Sequence, residues 1–149
     1  MKDKPFFKSK SIFYILLGIF ILLIIYFAVP ALPTIRRALF PFAAILAFFF
    51  FILGTALIFY SLKLKAQKKL KIFLLLTGAS AVGFLVFVLL HNLVYGLFIY
   101  LFGEAFWESI GMGDEPFFFI LAIFVCPIVF LIGAIGSLIL FHKKRKTKT

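Results

Sequence analysis

The chain has 149 residues, of which 65% are hydrophobic and 14% charged, with a formal net charge of +11 and a mean hydropathy of +1.22. At this length so apolar a composition cannot be wrapped into a fold that hides its hydrocarbon from water, which excludes a soluble domain and implies an integral membrane protein. A single cysteine, Cys126, excludes an intramolecular disulfide and any paired-cysteine redox or metal motif, and continuous rather than alternating apolar runs exclude a transmembrane β-barrel.

A hydrocarbon core of about 30 Å takes about 20 apolar residues of helix. Four uncharged runs reach that length: Ser11–Val29, Ala38–Leu62, Ile72–Phe102 and Phe117–Phe141. The first follows Lys2, Lys4, Lys8 and Lys10 and is followed by "AVPALP", a pattern shared with cleaved signal peptides. The run is longer than the ~7–15 apolar residues of a signal peptide, and Pro30 would crowd the cleavage site. It therefore reads as a retained span, with Pro30 and Pro33 as its stop. The expected fold is all-α, a polytopic bundle with spans at about 11–29, 38–62, 72–92 and 117–141, an additional outer interfacial helix within 93–110, and a basic tail at 142–149.

Basic residues set the expected orientation. Lys63, Lys65, Lys68, Lys69 and Lys71 join the second span to the third, and Lys143, Lys144, Arg145, Lys146 and Lys148 form the tail; only Arg36 and Arg37 stand in the remaining connections. The positive-inside rule places both termini and the middle loop in the cytoplasm of a multi-pass cell-membrane protein. Glu104, Glu108, Asp114 and Glu115 then fall outside. The lysine runs invite a nucleic-acid reading, but no binding fold or aromatic platform accompanies them and topology explains them. Their expected partner is anionic lipid headgroup on the cytoplasmic side, through Lys63, Lys65, Lys68, Lys69, Lys71, Lys143, Lys144, Arg145 and Lys146.

The third run is too long for the core it enters, since its 31 residues make about 46 Å of helix. The helix is expected to bend near Asn92–Gly96 and lie along the outer interface, with Trp107 anchored among headgroups and Glu104 and Glu108 on one face beyond it. Gly111 and Gly113 suit a turn, and Asp114-Glu115-Pro116 suits the opening of the last helix. Small residues four apart, Ala43 and Ala47, Ala79 and Gly83, and Gly133 and Ser137, mark the expected helix contacts, more readily within one chain than between copies. Pro127, behind Cys126, is expected to kink the last span and is its hinge candidate.

His91, Asn92, Glu104, Glu108, Asp114 and Glu115 are the one gathering of polar and acidic groups, and they form the candidate outer cluster. One histidine without a second ligand at metal-binding spacing does not argue for a metal, and no nucleophile–base pair argues for catalysis. No cofactor is expected. Arg36 and Arg37 are the candidate partners of these acids across the outer face. No Asp, Glu, Lys or Arg lies inside a span, which weakens pump and ion-channel readings.

"HNLVYGLFIYLFG" and "GDEPFFFILAIFVCPIVFLIGAIGS", with the loop between them, resemble small four-span prokaryotic membrane proteins of an uncharacterised family over roughly residues 74–141. The resemblance implies a four-helix membrane protein and no activity. Three function classes follow, in order: an accessory or structural protein contacting another membrane component, a transporter or channel subunit for a neutral or lipid-like substrate, and a membrane enzyme using the outer acids.

Overall fold

The computed structural model describes residues 4–28, 33–65 and 68–146, with the side chains of 28, 33 and 144–146 left aside. The described residues form helices and turns, with no strand: α1 (Lys4–Ala28), α2 (Pro33–Leu62), α3 (Lys68–Phe102), α4 (Phe106–Ser109), α5 (Pro116–Ile120) and α6 (Cys126–Lys146), with a π-helical turn at Leu121–Val125 joining the last two. Four helical stretches are long and apolar enough to cross a membrane, the fourth running from α5 through the π turn into α6.

The helices outrun the apolar runs. Helix α1 begins at Lys4 and α3 at Lys68, because lysine is a good helix former and its long side chain can reach polar surroundings while the backbone stays helical. Pro33 opens α2, where its missing N–H costs nothing, and does not act as the stop of α1; Pro30 lies outside the described residues. Arg36 and Arg37 are therefore in the first turns of α2, not in a connection.

The four long elements pack in series, α1 on α2, α2 on α3 and α3 on α6. Where α3 meets its neighbours the backbones nearly touch. A methyl group added at Gly54 would stand 3.0 Å from the carbonyl of Gly78, and one at Gly133 would stand 2.8 Å from the carbonyl of Phe73. Between helices of membrane-spanning composition, lipid would give no hydrophobic reason to associate, and close dispersion contact of this kind is what can hold such helices together. Gly133 and Ser137 are buried as expected, whereas Ala79 is exposed. Helix α3 instead turns Thr77, Gly78 and Ala81 inward, and the α2–α3 contact through Gly54 and Gly78 escaped the spacing pattern because its two members lie on different helices. Ser9, Ser61 and Ser137 are fully buried with hydroxyls unpartnered among the described residues, so their small size is what suits them to these contacts.

Between α1 and α6 the contact is of another kind. Phe20 stacks on Phe130 at 4.2 Å between ring centroids, and Phe13 meets Phe141 edge-on at 5.5 Å. Aromatic rings bridge this seam and hold the backbones apart.

Pro127 sits one residue into α6, directly after the π turn, and its ring would collide with the carbonyl of Ile123 in a regular helix. The backbone N–H of Cys126 bonds the carbonyl of Leu121, and this wider turn makes room for the ring. The proline is thus absorbed by one extra residue in the preceding turn.

Candidate functional site

The sequence-flagged residues divide into those the fold gathers and those it does not. Helix α3 carries His91 to the start of the fourth span. Its Nδ1 lies 3.0 Å from the carbonyl oxygen of Glu115 and 3.2 Å from that residue's Oε2. Both are acceptors, so Nδ1 carries the proton and donates. Nε2 faces Asp114 Oδ2 at 3.5 Å. The ring stacks with Tyr95 and tilts against Phe119.

Glu115 is the centre of this arrangement and is only 4% exposed. It is the N-cap of α5, accepting at Oε1 from the backbone N–H of Phe117 at 2.8 Å and of Phe118 at 3.1 Å, and at Oε2 again from Phe118 at 3.0 Å. Its own N–H donates to Asp114 Oδ1 at 2.7 Å, and Pro116 occupies the first helical position. The carboxylate thus answers the free N–H groups and positive dipole end of the helix on one side and the imidazole on the other. It is a latch tying the fourth span to α3.

The rest of the expected cluster stays apart. Asn92 donates to the carbonyl of Val88 in its own helix at 2.8 Å. Glu104 lies in the turn after α3, Glu108 in α4, and both are exposed, so they do not share a helix face. Arg36 and Arg37 are exposed and form no ion pair with a described acid, so the pairing expected across the outer face is absent. Exposed pairs at such positions have little to gain from forming. Among the described residues no group of three or more His, Cys, Asp or Glu is arranged to hold a metal ion.

Residues 93–102 do not form a separate element. They continue α3 as one helix of 35 residues, which Gly103 ends with a φ of 94°. The chain then doubles back through α4. Trp107 is buried against α3, its Nε1–H donating to the carbonyl of Tyr95 at 3.2 Å and its ring stacked on Tyr95 at 5.8 Å, so it is folded inward and not presented as a free anchor. A glycine following an apolar helical run was the signal for this reversal.

Sequence spacing did not reveal a second feature, the seam between α1 and the fourth span. A cavity of about 260 Å³ opens there, with Phe20, Leu23, Ile24 and Phe27 on one wall, Ile123, Cys126, Pro127 and Phe130 on the other, and Phe50, Ser80 and Phe84 behind. The Ser80 hydroxyl is already bonded to the carbonyls of Leu76 and Thr77, so the lining offers almost nothing but hydrocarbon, aromatic faces and one thiol. Along the same seam, toward the lysine-bearing end, lies an open groove of about 620 Å³ lined by Lys10, Tyr14, Leu138, Ile139, Phe141, His142 and Lys143.

The other lysines at that end have varied roles. Lys71 donates to the carbonyl of Leu62 at 2.9 Å, closing the C-terminus of α2, and Lys63 lies over the ring of Phe59. Lys65, Lys68 and Lys69 are exposed, and the side chains of Lys144, Arg145 and Lys146 lie outside the described residues.

Comparisons with protein-family models, curated proteins and solved structures return no match for the chain. Its function has to be read from the geometry of the latch and the seam.

Proposed function

We propose that this is a multi-pass accessory protein of the cell membrane that works by holding an apolar, lipid-like chain in the lateral slot between α1 and the fourth span. The observation that carries the reading is the slot itself: about 260 Å³ of space walled by aromatic and aliphatic side chains within helices of membrane-spanning length. A charged or strongly polar ligand would lose its hydration there without gaining partners, whereas a hydrocarbon chain loses nothing. Extraction in mild detergent followed by mass spectrometry of the retained lipids tests it. Wild type retains a defined lipid species and Ile24→Trp, which fills the slot from its exposed rim, releases it; equal retention by both refutes the slot.

Both termini and the 63–71 loop face the cytoplasm in this reading, and 93–110 lies at the outer interface. With Cys126 first replaced, cysteines introduced at Lys68 and Lys146 resist an impermeant thiol reagent in intact cells, and one at Ser109 reacts. Labelling at Lys68 with protection at Ser109 inverts the topology.

Pro127 and Ile123, at the π turn, line the slot, and this favours a second reading in which the fourth span flexes to move a lipid-like substrate. Flux of a labelled lipid across protein-containing liposomes above that of empty ones is its readout.

A further inference from the structure

The slot and the basic groove lie on one seam, between the same two helical walls. On α1 the groove is marked by Lys10 and Tyr14 and the slot begins at Phe20; on α6 the groove is marked by Lys143 and the slot begins at Phe130. At 1.5 Å per residue, Phe20 is about 15 Å along α1 from Lys10 and Phe130 about 20 Å along α6 from Lys143. Half of a hydrocarbon core is also about 15 Å. A chain whose head sits at Lys10 therefore reaches the near edge of the slot at the bilayer midplane.

The groove's chemistry is cationic and partly organised. The Lys10 ammonium stands 5.8 Å from the centre of the Phe141 ring, and Tyr14 stacks on the same ring at 6.4 Å. Phe141 is itself buried and held edge-on by Phe13. One fixed ring thus positions an ammonium and a phenol beside His142 and Lys143, and the two lysine charges favour a phosphate over a neutral head, which could use only the hydrogen bonds.

We propose that the groove holds the phosphate of a lipid from the cytoplasmic leaflet, with the lipid's chain running along the α1–α6 seam into the slot. The assignment rests on the slot reading above and adds the class of head. The Phe20–Phe130 stack stands between groove and slot, so the chain passes it on the lipid-facing side, along the exposed Ile24 and Leu131. Continuity of the seam is what selects a lipid over free phosphate.

The test uses the full chain, delipidated in a neutral detergent, and titrates it with dioleoyl phosphatidic acid, dioleoylglycerol and inorganic phosphate, following bound species by native mass spectrometry. Wild type binds the phosphatidic acid roughly tenfold or more above the diacylglycerol, as expected for two lysines near a phosphate. Lys10→Gln with Lys143→Gln removes that preference, and Lys4→Gln with Lys8→Gln, on the same helix end but outside the groove, leaves it. Equal losses in the two double variants reduce the effect to diffuse charge and overturn the groove. So does inorganic phosphate competing as well as the lipid. Ile24→Trp separates the two readings: it weakens both lipids if the chain uses the slot. If it weakens neither while the lysine dependence persists, the slot reading falls and the joint lipid path falls with it.

Discussion

Helix α3 and the α1–α6 seam show two ways of joining helices that are long and apolar enough to cross a membrane. Against α2 and α6, α3 offers small residues, and backbones close until an added methyl at Gly54 or Gly133 would lie within 3 Å of a neighbouring atom. Across the seam, phenylalanines meet phenylalanines, and a cavity remains above the stacked pair of Phe20 and Phe130. Rings cannot tile a gap as completely as backbones in contact, so large residues at one interface leave space that small residues at the other exclude. Cohesion and vacancy are thereby assigned to different sides of the same bundle.

The comparison breaks most severely at the small-residue interface. Gly133→Val pushes side-chain carbon toward the Phe73 carbonyl and the Thr77 hydroxyl, where backbone would have to move. A loss of about 3 kcal/mol is expected, at the upper end of overpacking costs. Reversible unfolding in mixed micelles measures it. A loss below about 1 kcal/mol would mean that α3 and α6 separate easily and that close approach is not what holds the bundle.

Next in size is the latch, which ties the Glu115 end of the fourth span to α3, far along both helices from Gly133. His91→Ala and Glu115→Gln each remove half of a buried, charge-assisted contact, and Glu115→Gln also weakens the cap of α5. Each is expected to cost about 1–3 kcal/mol. Made together they should cost less than the sum by at least about 0.5 kcal/mol, since the groups share one network. Additivity would reduce the pair to neighbours and leave Glu115 as a cap alone.

Much of this was legible without coordinates. Four spans follow from run length against bilayer thickness, and Asp114-Glu115-Pro116 reads as a helix opening because acid and proline suit a helix N-terminus. His91 was identified, but the choice of Asp114 and Glu115 over Glu104 and Glu108 was not. That choice depends on Gly103 ending α3, the chain reversing, and Trp107 packing back on Tyr95, a long-range contact with no local period. The seam was illegible for a related reason. In a bundle whose every face is apolar, hydrophobic spacing does not distinguish a residue against lipid from one against another helix, and Phe20 and Phe27 look alike in sequence although the first is buried and the second exposed.

Filling the vacancy should leave stability nearly unchanged. Ile24 is 42% exposed at the rim, so Ile24→Trp displaces lipid or void and little packed structure. A change within about 0.5 kcal/mol is expected, beside a clear loss of retained lipid. A destabilisation approaching that of Gly133→Val would show the seam to be as tightly packed as α3, and the contrast between the two interfaces would fail.

The smallest effect belongs to the exposed charges at the Arg36 and Glu104 ends of α2 and α3, which the fold leaves apart. Arg36 and Arg37 stand exposed in the first turns of α2, and Glu104 and Glu108 stand exposed beyond the end of α3. Separated charges in a polar interface are solvated one by one, and even a formed pair there is worth about 0–1 kcal/mol. Arg36→Gln with Arg37→Gln, and Glu104→Gln with Glu108→Gln, should each shift stability by no more than about 0.5 kcal/mol. The fourfold variant should match their sum to within about 0.5 kcal/mol, the tolerance for independent sites. A larger coupling at low salt that fades at high salt would mean that these arginines do reach the acids in the bilayer, drawing the outer turn across the helix ends and joining Glu104 or Glu108 to the region of His91 after all.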